Sequence, residues 1–369
     1  MNSKDGIILP FYAKVSVFFI GFLALLAILY VAQVIILPLI FALLIAILLS
    51  PVISFFVRKK INRLLAIIIT LIITIILIGV FGSFLYSQIN MFSESWPKLV
   101  DKFNLLLNQL VTYASNYLDI KPLAIREWIT KTEGEIFNTG TAAIGKTIVG
   151  VGNVIAILLL VPVYVFMILY YQPLLLEFLN RIFAKDNQSQ MSEIVSQTKN
   201  VILHYLFGLI IEAIIVAALD SAALLVLGIK YAILLGILAA LLNMIPYIGG
   251  IVAVALPMMV ALVTKDSAWF VVYIMIIYYL IQLFDNNYIV PIIVASKVKI
   301  NALFSMVAVL IGNLLWGIPG MVLSLPLLAI VKVIFDHIES LKPWGYLLGD
   351  KMPQSTQKHF FFRKKKIEQ

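Results

Sequence analysis

The strongest constraint on this chain is a succession of apolar runs, most of them about as long as a helix needs to cross a bilayer. They fall at about 11–31, 34–57, 64–89, 144–171, 201–227, 231–263, 268–290 and 302–334. None alternates polar and apolar residues as a membrane barrel must. Inside hydrocarbon every backbone N–H and C=O has to find its partner within the protein, which leaves helices as the spanning element. With 63% of 369 residues apolar and only 12% charged, the composition excludes a soluble domain. The expected fold is therefore an all-α polytopic membrane protein. It should have about eight transmembrane helices, some broken or re-entrant, with an extracytoplasmic amphipathic helical insertion.

Charge sets the orientation. Arg58, Lys59, Lys60 and Arg63 follow the second run closely and form the clearest positive-inside signal, so that turn is expected in the cytoplasm. The first run reads as a retained helix and not a cleaved signal, because bulky Tyr30 stands near any cleavage point and a second span follows at once. Both termini are then cytoplasmic, in a multi-pass protein of the cell inner membrane. The expected divisions are 1–89 (three spans), 90–139 (the extracytoplasmic segment), 140–171 (a fourth span), 172–200 (a cytoplasmic connector), 201–335 (a transmembrane core with broken helices) and 336–369 (a basic cytoplasmic tail). Lys230, Lys297 and Lys299 would fall outside on a simple eight-span path, which points to a re-entrant hairpin in the second half.

In the extracytoplasmic segment Ser95 can cap a helix with Pro97 in its first turn. Trp96, Leu99, Phe103, Leu106 and Leu110 then repeat at alternating spacings of three and four, a narrow seam that needs a partner helix from the same or another subunit. Further on, Gly140, Gly145, Lys146 and Thr147 match a phosphate-binding loop in spacing alone. That loop requires a preceding strand in an α/β domain, and here a membrane helix follows directly. No nucleotide or other cofactor site is expected, no metal cluster, and no nucleic-acid partner. With no cysteine and three scattered histidines, metal chemistry has little to work with. No serine, histidine and acid set stands out, so an enzyme is not expected.

Two runs carry helix breakers at membrane depth. The stretch 241–250, LLNMIPYIGG, holds Asn243, Pro246, Gly249 and Gly250, and the last run holds Gly312, Asn313, Gly317, Pro319, Gly320 and Pro326. Freed backbone groups survive there only beside other protein or a watery cavity, so these breaks point to a substrate or ion path, the alternative being a simple proline kink used for packing. Asp285, Asn286, Asn287 and Pro291 add a polar cluster at the end of the seventh run. His204, Glu212 and Asp220 lie within the fifth. Their spacing of eight turns each about 80° from the last, which predicts a slanting line down the helix and not one tight cluster. Ionisable groups inside spans are costly and by default face a cavity or a partner.

Residues Ile245-Pro246-Tyr247-Ile248-Gly249, Asp285-Asn286 through Val290-Pro291, Ile311-Gly312, Trp316-Gly317-Ile318 with Gly320-Met321, and Pro326 together resemble the autoinducer-2 exporter family of bacterial membrane proteins. The resemblance runs over nearly the whole chain. Departures fall at Asn243, where an acidic residue often stands, and at Gly250, where proline is frequent. The resemblance implies export of a small polar signalling molecule, or in some relatives sodium-proton exchange, and a homo-oligomer. From the residues themselves the leading expectation is a transporter or facilitator that moves a small polar solute outward without ATP. The amides of Asn243, Asn286 and Asn287 would bind solute, and Glu212, Asp220 or Asp285 would couple to protons or sodium. The alternatives are a sodium-proton antiporter and, in another class, an oligomeric membrane scaffold.

Overall fold

The computed structural model describes residues 10–118, 151–182, 188–245, 249–294 and 300–350. The Gly140–Thr147 pattern, Pro246, Lys297, Lys299 and the tail beyond residue 350 lie outside them. Among the described residues, seven helices are long and apolar enough to cross a membrane, and two shorter apolar helices accompany them. The protein is an all-α, multi-pass membrane protein.

Helices α1 (Phe11–Val31) and α2 (Gln33–Arg58) are separated by Ala32 alone. No residue of α1 is buried, so most of its surface is left to lipid or to another chain. By contrast α2 places Ala42, Ala46, Leu49 and Ile53 against Ala66 and Ile67 of α3 (Arg63–Leu118) and Val165 and Leu169 of α4 (Val151–Ile182). The two alanines let the backbones approach, which is how helices associate where lipid is as apolar as leucine. Lys60 adopts a left-handed conformation in the turn after α2, and the Asn62 side chain accepts a hydrogen bond from Leu64 N to start α3.

Helix α3 corrects the expected boundary near residue 90. It runs unbroken for 56 residues, about 84 Å at 1.5 Å per residue, far beyond a hydrocarbon core of ~30 Å. Pro97 lies inside it and Ser95 is not a cap. Instead the Ser95 hydroxyl accepts a 2.6 Å hydrogen bond from Tyr231 OH, while Phe92 packs edge-on against the Tyr231 ring. An interior proline removes one hydrogen bond and crowds the carbonyl four residues back, at about 3 kcal/mol, and α3 continues past Pro97 despite that cost. Of the seam, Leu106 is half-buried, and the side chains of Trp96, Leu99, Phe103 and Leu110 lie outside the described residues. The expected connector at 172–200 is also largely helical, since α4 continues to Ile182 and α5 (Gln188–Val226) begins soon after.

The two interrupted runs fold as hairpins. Helices α6 (Ala232–Asn243) and α7 (Gly249–Thr264) are roughly 18 and 24 Å long, each short of a full crossing. They pack side by side through Ala232, Leu235 and Ala239 on one and Ala253, Val260 and Ala261 on the other. Lys265, just past the end of α7, returns beside Gly228, just before α6. Gly228 has φ +63°, which closes the turn from α5 without strain. After α8 (Trp269–Phe284) the chain widens into a π-helical segment, Asp285–Val294. Helix α9 (Ala302–His337) then folds back at Gly317, whose φ 63° and ψ −142° only glycine adopts readily. Gly312 and Gly320 meet backbone to backbone across that fold, and a Cβ on either would collide with the other's carbonyl. The two ends of the hairpin are tied together: Asn301 N donates to Leu348 O at 2.8 Å, at the end of α10 (Lys342–Leu348). The start of the expected tail is thus folded, with α10 lying back along the end of α9.

Candidate functional site

A cavity of about 710 Å³ opens among α5, the α6–α7 hairpin, α8 with its π-helical extension, and the second arm of α9. Helix α5 contributes Tyr205, Leu209, Glu212, Val216 and Asp220, all on one face at spacings of four, three, four and four. The slanting line expected from the sequence is real. It nevertheless lies within one site, because the cavity runs along α5 for about 22 Å and is wide enough to take in the slant. His204 is not part of it; its Nδ1 lies 2.7 Å from the Asn200 carbonyl, on an exposed face.

The tip of the α6–α7 hairpin supplies Asn243, Met244, Ile245 and Gly250. Helix α6 ends at Asn243 and α7 begins at Gly249, so the last carbonyls of the one and the first N–H groups of the other have no partners within their own helices. Part of that deficit is met locally, by Ile245 N on Leu242 O at 2.8 Å and Gly249 N on Ile245 O at 3.0 Å. Gly249 is required for packing: a Cβ there would strike the Leu242 carbonyl. Gly250 has open space before it, with Gln282 Oε1 the nearest neighbour at 3.8 Å.

Asp285 sits where α8 passes into π-helix, a register change that turns the carboxylate inward. It is 1% exposed and accepts a 3.1 Å hydrogen bond on Oδ2 from Asn243 Nδ2. That bond ties the hairpin tip to α8. Its other oxygen, Oδ1, has no partner among the described residues, and neither has Oδ1 of Asp220, which is 3% exposed, nor the buried hydroxyl of Tyr278. Buried polar atoms are seldom left unpaired, and here all three belong to residues that line the same cavity. No lysine, arginine or histidine is among the described lining residues. The cavity is acidic and rich in acceptors on one side, and apolar on the other, where Met321, Val322 and Leu325 of α9 face it. Glu212, Asp220 and Asp285 do not converge into a three-ligand metal cluster among the described residues.

Of the other expected path residues, Asn286 lines the cavity with Gln282, whose Nε2 lies 3.4 Å from Asn286 Oδ1. Asn287 does not: it is exposed and donates from Nδ2 to the Leu283 carbonyl at 2.7 Å. Pro291 and Asn313 are likewise exposed and outside the lining. Sequence reasoning missed Tyr205, Tyr278 and Gln282. Tyr278, Gln282 and Asp285 stand at i, i+4 and i+7, so a search for polar residues on the Asp285 face of α8 would have found them.

The profile of the AI-2E family transporters matches residues 19–340. The chain is similar to YrrI of Bacillus subtilis strain 168, with 27% identity over 318 residues, 83% of this chain and 87% of that protein. It is also similar to YhhT of Escherichia coli K12, with 24% identity over 90% of this chain and 93% of that one. A third relative is the AI-2 transport protein TqsA of Escherichia coli K12, 24% identical over 86% of this chain and 90% of its own length. The match spans both hairpins, α5 and the π-helical carboxylate, so the cavity lies wholly inside the shared region. With membrane helices, interrupted hairpins and this match in agreement, the chain belongs to the AI-2E transporter family.

Proposed function

We propose that the protein is a secondary transporter or facilitator that carries a small polar solute outward across the bacterial inner membrane, without ATP. One observation carries this reading: a cavity of about 710 Å³, walled by two folded-back helices, whose polar side holds three carboxylates and no basic group among the described residues. Half-helix ends and intramembrane carboxylates gathered at one cavity are the usual equipment of secondary transporters. An acidic wall repels anions, so the solute is neutral or cationic and hydroxyl- or amine-rich. Asn243, Asn286 and the unpaired backbone at the hairpin tip bind it by hydrogen bonds. Glu212, Asp220 and Asp285 are the groups that can take up and release a proton or hold a hard cation. The relative TqsA, named as an AI-2 transport protein, makes that signalling molecule the first solute to test.

Sidedness follows from charge. The turn with Arg58, Lys59, Lys60 and Arg63 is cytoplasmic, as are both termini, and the α6–α7 hairpin then dips in from outside while α9 dips in from the cytoplasm. The long outer part of α3 is the surface on which copies of the chain associate.

A sodium-proton antiporter is the second reading, favoured by the two buried aspartates whose free oxygens meet no basic partner among the described residues. Flux in proteoliposomes decides between them. Saturable movement of a neutral or cationic metabolite, abolished in Asp285→Ala, supports solute export; a sodium-dependent change in internal pH with no solute movement supports exchange. Sealed vesicles of folded protein that move neither would sink both.

A further inference from the structure

A second cavity, of about 370 Å³, lies beside the turn between α2 and α3, within the roughly 300–1,000 Å³ typical of small-ligand sites. Its polar lining comes from four helices: Ser50, Ser54 and Arg58 of α2, Arg63 of α3, Gln172 of α4 and Lys199 of α5. We propose that this cavity binds the phosphodiester headgroup of an anionic phospholipid.

Three cations converge on it and no carboxylate lines it. Arg63 is fixed, donating from Nη2 to the Leu169 carbonyl at 3.0 Å and to Gln172 Oε1 at 2.8 Å, which leaves the rest of its planar fork for an anion. The Arg58 and Lys199 side chains make no ion pair and no hydrogen bond among the described residues. The positive-inside tendency accounts for basic residues in the turn. It does not account for Lys199 joining them from a helix far along the chain. Nor does it account for Ser50, 7% exposed, whose Oγ is buried without a partner among the described residues and belongs to the same lining. The hydroxyl is a donor in want of an acceptor, and a phosphate oxygen is one.

The remaining lining decides between a lipid and a soluble phosphate. Ile53, Val57, Ile67 and Leu169 give the same cavity an apolar wall, which a free anion would not use and the glycerol and first acyl carbons of a lipid would. Basic pockets between helices at the cytoplasmic face are where such headgroups settle.

The test uses the full chain in nanodiscs of phosphatidylcholine carrying a trace of phosphatidylglycerol, with retained lipid counted by native mass spectrometry and folding checked by thermal melting. The wild type should hold one phosphatidylglycerol per chain. Combined Arg58→Gln and Lys199→Gln should weaken retention roughly thirtyfold, about fivefold per charge. Arg58→Gln alone should weaken it about fivefold, Ser50→Ala several-fold with no change in charge, and Lys60→Gln, the same single charge loss as Arg58→Gln but outside the lining, should leave it unaltered. Equal losses for Lys60→Gln and Arg58→Gln would reduce the effect to a diffuse field and overturn the site, as would unchanged retention in Ser50→Ala. Complete displacement of the lipid by excess inorganic phosphate would assign the cavity to a soluble phosphate and overturn the lipid assignment.

Discussion

The two hairpins carry the same kinds of breaking residue and use them to opposite ends. Helix α6 ends at Asn243 and α7 begins at Gly249, and the tip reaches the cavity with Asn243, Met244, Ile245 and Gly250. In α9 the break is a single residue, Gly317, and the arms close at once, with Gly312 and Gly320 in backbone contact and Ser324 Oγ packed beside them. That hairpin shows the cavity only apolar side chains, Met321, Val322 and Leu325. Glycine and proline at membrane depth therefore report that a helix is interrupted, but not what the interruption is for. One break exposes polar groups to a ligand; the other brings two arms close enough to leave no room for any.

Substitutions can break or sharpen this contrast. The largest expected effect is Gly312→Val or Gly320→Val, where a side chain would be forced into a facing backbone: destabilisation of about 3 kcal/mol or more, seen as early thermal melting and loss of a monodisperse peak in detergent. Next comes Asp285→Ala, which leaves Asn243 unpaired and takes a carboxylate from the cavity. Solute flux in proteoliposomes should fall on the order of tenfold to a hundredfold while the melting temperature moves little. If both hairpins were merely kinked for packing, the order would reverse and Asp285→Ala would cost stability and not flux. Tyr231→Phe removes the bond that braces the base of the α6–α7 hairpin against α3, and should cost about 1 kcal/mol in a melt, with Ser95→Ala giving the same loss. Asn287→Ala and Asn313→Ala, both outside the cavity, should leave flux within about twofold of wild type; a larger loss from either would mean that the path extends past the lining described.

Much of this was legible in the residues, for identifiable reasons. The end of α6 at Asn243 and the new start at Gly249 are foreshadowed by Pro246, Gly249 and Gly250, since a helix does not pass a proline and two glycines in hydrocarbon without compensation. Glu212, Asp220 and Asp285 could be singled out because charge inside an apolar run is expensive enough to need a reason. The course of α3 was not legible. Ser95 and Pro97 make as good a helix start as a continuing helix allows, and only the tertiary bond to Tyr231, 136 residues away, shows which it is. Nor could the spacing of Glu212 and Asp220 reveal a common site, because that depends on the cavity's length along α5. Asn287 shows the opposite limit. It is adjacent to Asn286 in sequence and directed elsewhere by a helix turn, so a polar cluster in the sequence divides into a lining residue and a surface residue.

The exposure of α1 bears on the order in which the protein is assembled. Helix α1 buries none of its own side chains, so it can settle in the bilayer as soon as it leaves the translocation machinery and gains little from waiting for neighbours. Beyond its contacts with α2, it is tied to the fold by the Trp316 indole N–H donated to the Leu29 carbonyl at 3.0 Å, from a residue synthesised 287 positions later. At bacterial or similar synthesis rates of ~5–20 residues per second, that interval is tens of seconds. Helix α1 is thus made early and fastened late, by the fold of α9. A chain stalled before residue 316 would hold an inserted but unanchored α1, free to be drawn away or to pair with another copy.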